Sequence, residues 1–115
     1  MSQQAIPLLA LSTVLSGTVA VNRFVTPAGA QAGADANTLG VARTAGISGD
    51  RVAVDVLGTA IVEAGAAVAA GATVKADSSG RAITWVTSGA KIGLALQAAG
   101  AAGDKIEVLL IPNVA

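Results

Sequence analysis

Two stretches of this chain repeat one pattern, and the repetition limits what it can fold into more than any other feature. Residues 93–108 read Gly-Leu-Ala-Leu-Gln-Ala-Ala-Gly-Ala-Ala-Gly-Asp-Lys-Ile-Glu-Val, and residues 40–54 read Gly-Val-Ala-Arg-Thr-Ala-Gly-Ile-Ser-Gly-Asp-Arg-Val-Ala-Val. With a slip of one residue between them, Gly40-Val41-Ala42 answers Gly93-Leu94-Ala95, and Gly49-Asp50-Arg51-Val52 answers Gly103-Asp104-Lys105-Ile106. Each copy reads as a short apolar strand, a small-residue turn ending in Gly-Asp, and a strand alternating apolar with polar. Asp suits such a turn because its carboxylate accepts from the backbone just ahead, and Gly because it tolerates positive φ. Two copies predict an all-β domain built from two related halves. They are too few and too unevenly spaced for a solenoid.

The 115 residues are enough for one domain with a modest core. The chain is 53% hydrophobic but only 2% aromatic, so its apolar mass is chiefly Ala, Val, Leu and Ile. At about 25 cal/mol per Å² of buried surface, Ala contributes little. A core this thin favours help from a partner or from self-association. Seven basic and seven acidic residues leave a formal net charge of zero, which also promotes association. No basic stripe marks a nucleic-acid surface.

Catalytic and metal chemistry have little to work with. Cys, His and Tyr are absent, which removes disulfides, thiolate sites, the commonest general base and the commonest metal ligand. Of the carboxylates, Asp50, Asp77 and Asp104 fall in turns, while Asp55 and Glu107 read as solvated positions on strand faces. Asp35 and Asn37 share a polar loop, but two oxygen ligands do not make a calcium site. No phosphate-cradling loop or Gly-x-Ser-x-Gly elbow occurs. The expectation is a non-enzyme without catalytic residues, cofactor or metal.

Residues 5–15 imitate a signal-peptide core, yet the first positive charge, Arg23, follows the apolar run rather than preceding it. The run is also too short to span a bilayer. Residues 1–15 are therefore expected to form an extended N-terminal arm, and residues 16–115 the β domain. Pro7 opposes a helix through the arm. Burying Ile6, Leu8, Leu9 and Leu11 contributes roughly 1.5 to 3 kcal/mol each, while ordering the backbone costs about 1 to 2 kcal/mol per residue. The two nearly cancel, so the arm also needs the hydrogen bonds of an added edge strand, on a partner protein or a sister subunit.

Along the domain, residues 17–25 read as a strand in which Val19, Val21 and Phe24 seek cover, ended by the turn Thr26-Pro27-Ala28-Gly29. Residues 51–63 continue as a strand through a bulge at Gly58, with Val52, Val54 and Val56 on one face. The Ala- and Gly-rich residues 64–72 read as a loop with at most one helical turn. A hairpin turns at Asp77-Ser78-Ser79-Gly80, and Ile92, Leu94 and Leu96 lead into the second matched stretch. In the closing strand Ile106, Val108 and Leu110 share one face, and Pro112 ends it. The other face begins charged with Lys105 and Glu107 and ends apolar with Leu109 and Ile111. Those two side chains call for a second layer or a second subunit.

The order of Gly40-Val41-Ala42, Gly49-Asp50, Gly71-Ala72-Thr73-Val74 with Asp77 and Gly80, Ile92-Gly93-Leu94-Ala95 and Gly103-Asp104 resembles the capsid cement or decoration proteins of tailed phages. The likeness spans roughly residues 17–111. It implies a small β-barrel or sandwich of short antiparallel strands on the outer surface of the virion head. It further implies a homo-oligomer, commonly a trimer, that bridges major capsid subunits after the shell expands, with no nucleic-acid or membrane partner. The arm departs from the resemblance in being longer and more apolar. The interface expected on this basis comprises Ile6, Leu8, Leu9, Leu11, Leu109 and Ile111, and the structural turns are those of Gly49, Asp50, Gly103 and Asp104. The competing assignment is a tail or fibre β-domain or a surface adhesin module.

Overall fold

A computed structural model describes residues 5–111, and every regular element among them is a strand. In chain order these are β1 (Pro7–Val14), β2 (Phe24–Val25), β3 (Gly40–Ala42), β4 (Arg51–Glu63), β5 (Thr73–Ala76), β6 (Ala82–Thr84), β7 (Gly93–Ala95) and β8 (Lys105–Leu110). The sheet runs β2-β3-β4-β8-β7-β5-β6, with β1 paired to β4, and is antiparallel and nearly closed into a barrel.

The longest strand, β4, organises the rest. Val52, Val54, Ala60 and Val62 are buried, while Arg51 and Leu57 are exposed, as the period of two requires. β8 pairs with its second half, from Gly58↔Leu110 to Glu63↔Lys105, and β1 with its first, from Pro7↔Gly58 to Val14↔Arg51. Both run antiparallel to β4, so β8 and β1 follow one another along it like a single strand interrupted opposite Gly58. There β1 slips register on either side of Leu9, the mark of a β-bulge. It crosses so close that a Cβ at Gly58 would collide with the Ile6 carbonyl oxygen.

The hydrogen bonds outside the strands show that the two matched stretches belong to a repeat of the whole chain. The Leu15 N–H donates to the Asp50 carbonyl and Gly49 to Leu15; likewise Ala64 donates to Asp104 and Gly103 to Ala64. Val19 and Gly46 exchange both bonds, as do Val68 and Ala99. Asn22 donates to Ala42 and Gly71 to Ala95, while Leu39 donates to Val25 and Ile92 to Val74. The pairing Phe24↔Val41 recurs as Thr73↔Leu94.

Thus β1, β2, β3 and the first half of β4 form one motif. The second half of β4, with β5, β7 and β8, forms it again. The β5–β6 hairpin enlarges the single bridge Val25↔Gln31 of the first copy. The operation that carries β1 onto the end of β4 carries the start of β4 onto β8. It therefore exchanges β4 with the interrupted β8–β1 strand and is an approximate two-fold.

Two core clusters follow. The larger includes Phe24, Val62, Val74, Ile92, Ile106 and Val108, and the smaller is Leu15, Val19, Val25, Ala42, Val52 and Val54. The strand expected over residues 17–25 is reduced to Phe24–Val25, because Asn22 takes a left-handed φ of 61°. Val19 is buried through one bridge and Val21 is exposed. Residues 64–72 hold a loop without a helical turn, tied down by the bridges of Ala64 to Ala82 and Val68 to Ala99. The arm finds its edge-strand bonds on β4 of its own chain. Pro112, expected to end the last strand, lies outside the described residues.

The matched turns are closed alike. Asp50 Oδ2 accepts from the Ile47 N–H at 2.9 Å, and Asp104 Oδ2 from the Gly100 N–H at 2.9 Å. Gly49 and Gly103 both sit at positive φ, 92° and 95°. Replacing either Asp by Ala is expected to lower stability by about 0.5 to 1.5 kcal/mol, the scale of one net hydrogen bond. Thermal melting of the two single variants checks this. Unequal effects, with one variant unchanged, would show that the turns are not equivalent.

Candidate interaction surface

The strand pairings gather three of the six contact residues expected from the sequence, Leu9, Leu109 and Ile111, onto one side of the sheet. Leu109 of β8 stands opposite Leu94 of β7 and Thr59 of β4, and Leu57 of β4 stands opposite Leu9 of β1. With Ile111 and Leu96, these partly exposed side chains make an apolar strip across the outer face of β7, β8, β4 and β1. Leu11 lies further along β1, opposite Val54, and Ile6 and Leu8 project from the start of the arm. Leu57, Leu94 and Leu96 were not among the expected contact residues. The signal for two of them was present, since Gly93 and Ala95 alternate with them and only small residues fit inward there. A Cβ at Gly93 would lie 2.5 Å from the Leu109 carbonyl oxygen.

The two-fold equivalents of Leu94, Leu96 and Leu109 are Val41, Arg43 and Asp55, and their surroundings differ. Ala5 and Pro7 of the arm lie beside that face of the first half, along an open cleft of about 330 Å³ that Asn22, Val41, Arg43, Asp55 and Ile61 help to line. Asp55, read from its strand position as solvated, is only 4% exposed and is ion-paired with the Arg43 guanidinium. Strand alternation placed it on the outer face correctly, but the arm beside it removes the water. A carboxylate buried this way needs a paired donor, and Arg43 supplies it.

Elsewhere the polar groups are occupied in holding loops. Arg23 bonds the Ser79 carbonyl at 2.9 Å and Glu63 at 3.3 Å, and Asp77 accepts from the Ser79 and Arg81 N–H groups. The Ser88 hydroxyl meets Asp35 at 3.2 Å, and Lys75 Nζ lies 2.7 Å from Asp35. Hydrogen bonding to Lys75 holds the Asp35 carboxyl below its ordinary range; desolvation opposes this, and the Lys75 charge and Ser88 add to it. The Trp85 indole donates to the Gly89 carbonyl at 2.9 Å, and Lys91 lies 4.4 Å over its ring. Among the described residues no group of three or more acidic, Cys or His side chains is placed to hold a metal ion.

A barrel whose distinctive feature is apolar side chains on an outer sheet face is suited to binding another macromolecular surface. Residues 5–110 match the family of phage cement proteins, and the chain belongs to that family. It is a capsid-decoration protein, a structural component of the virion at the head surface. The match includes β1, so the arm lies within the family's common region. Among solved structures, the crystal structure of the head fibre gp8.5 N base in bacteriophage phi29 has the same fold. Its TM-score is 0.72 at 18% identity, covering 90% of this chain and 93% of that one. The comparison with curated proteins finds no match.

Two measurements probe this geometry. Arg43→Ala strands a buried carboxylate and is expected to cost about 1 to 3 kcal/mol, towards the lower end because Arg43 itself is half-exposed. The double change Arg43→Leu with Asp55→Leu, which copies the second half, should restore most of the loss. A double variant no more stable than Arg43→Ala would show that the cleft does not depend on the pair.

For Asp35, the folded carboxyl titrates below the unfolded one. Its contribution is therefore present above the unfolded range and lost as pH falls through the folded value. Acid melting curves should show a shallower decline in Asp35→Asn, and an identical decline in both proteins would refute the assignment.

Proposed function

We propose that this protein sits on the outer surface of the capsid as a homotrimer and links neighbouring major capsid subunits, with Ile6, Leu8, Leu9, Leu11, Leu109 and Ile111 supplying apolar contact. The family match over residues 5–110 carries the proposal. The apolar strip, the zero net charge and the small-residue core support it. Such a protein stabilises by mass action. A ligand that binds only the intact expanded shell, present at a hundred times its Kd, adds about 2.7 kcal/mol per site, and an icosahedral lattice repeats that gain at every site. The partner is protein, and a structural role suits a chain without His or Cys.

The test is addition of the purified protein to expanded heads stripped of it. Saturable co-sedimentation and a raised head disruption temperature are expected, with immunolabel over heads. Label confined to tails, or heads whose stability is unchanged at saturation, would overturn the proposal.

A further inference from the structure

The two halves share their backbone bonds but not their outer faces, and the difference identifies a docking surface. In the first half, Val41 belongs to the larger core cluster, and the buried Asp55 lies beside the arm, where the half-exposed Arg43 neutralises it. In the second half the equivalent positions are Leu94, Leu96 and Leu109, which are 38%, 44% and 38% exposed. A fold that accepts an Arg–Asp pair at these positions has no internal need for leucines there.

The arm shows what fits such a face. Ala5 and Pro7 turn towards the cleft of their own first half. Ile6 and Leu8, which alternate with them, are 53% and 75% exposed. The start of the arm, residues 5–10, is exposed throughout, and Ile6 and Leu8 are its most exposed large apolar side chains. From this exposure, and from the arm's place beside the equivalent face of its own first half, we infer that Ile6 and Leu8 of one copy pack on Leu94, Leu96 and Leu109 of a second copy. The arm is then sandwiched between the first half of its own chain and the second half of its neighbour. The contact is heterologous, because each copy offers an arm and receives one, and it propagates head to tail until a ring closes. This deepens the oligomeric part of the proposal above and is tested in solution without capsids, so its failure leaves head binding untouched.

The chain has no Cys, so single cysteines report contacts cleanly. Leu8→Cys mixed with Leu96→Cys should give a covalent dimer on mild oxidation, and neither variant alone should. Self-linking of Leu96→Cys alone would show an isologous contact and overturn the inference, as would no cross-linking in the mixture.

Independently, Leu96→Arg with Leu109→Asp transplants the first half's own pair. The variant should melt as a folded protein and self-associate at least about tenfold more weakly, a change worth about 1.4 kcal/mol. Unaltered sedimentation of the folded variant would overturn the inference, and should the variant fail to fold, the cysteine mixture decides alone.

Discussion

The structure depends on β4 being shared. Its first half closes one motif and its second half opens the next, so a single uninterrupted strand covalently joins two units that otherwise repeat. Its two-fold counterpart is the interrupted line of β8 followed by β1, and the break falls opposite Gly58. Because β8 already occupies β4 beyond that point, β1 is deflected and rides over Gly58, where only a hydrogen leaves room for the Ile6 carbonyl. The deflection puts Ala5 and Pro7 beside Asp55, exposes Ile6 and Leu8, and makes the halves unequal outside while they remain equal in backbone bonding.

The inequality separates what the backbone requires from what the surface is free to choose. Gly40 and Gly93 are both glycine because a Cβ would press on the carbonyl oxygen of Asp55 in one half and of Leu109 in the other. Gly49-Asp50 and Gly103-Asp104 close their turns with the same side-chain bond. These positions are constrained by geometry and so recur in sequence. Outside, one half evolved a neutralised ion pair beside the arm and the other a set of bare leucines, and neither choice disturbs the sheet.

The same distinction explains how much was legible in the residues. The turns, the period of two in β4 and the hairpin at Asp77 to Gly80 rest on local chemistry and can be read directly. The rest of the repeat cannot. Leu15 with Ala64 and Val19 with Val68 are equivalent through main-chain bonds that make no demand on side-chain identity. Likewise Asn22 and Gly71 share a left-handed φ, at 61° and 86°, without sharing a residue type. The burial of Asp55 was hidden because it comes from a segment almost fifty residues earlier in the chain. Ile92, Leu94 and Leu96 alternate in the sequence as one face, yet Ile92 is buried while the two leucines are exposed.

The pairing of the arm with β4 changes the energetics of docking. Judged from sequence, an arm that must be ordered at about 1 to 2 kcal/mol per residue nearly cancels what its apolar side chains return on burial. In the structure that ordering is already met by hydrogen bonds to β4 in the same chain. A partner surface meets a strand with its backbone fixed and its apolar side chains presented, so little further ordering opposes their burial. At roughly 1.5 to 3 kcal/mol for each fully buried large aliphatic side chain, two or three contacts of the proposed kind would hold one small subunit, and copies repeated over a lattice would hold a shell. A thin, nearly non-aromatic core is compatible with the proposed docking, because large apolar side chains stand exposed on the surface instead.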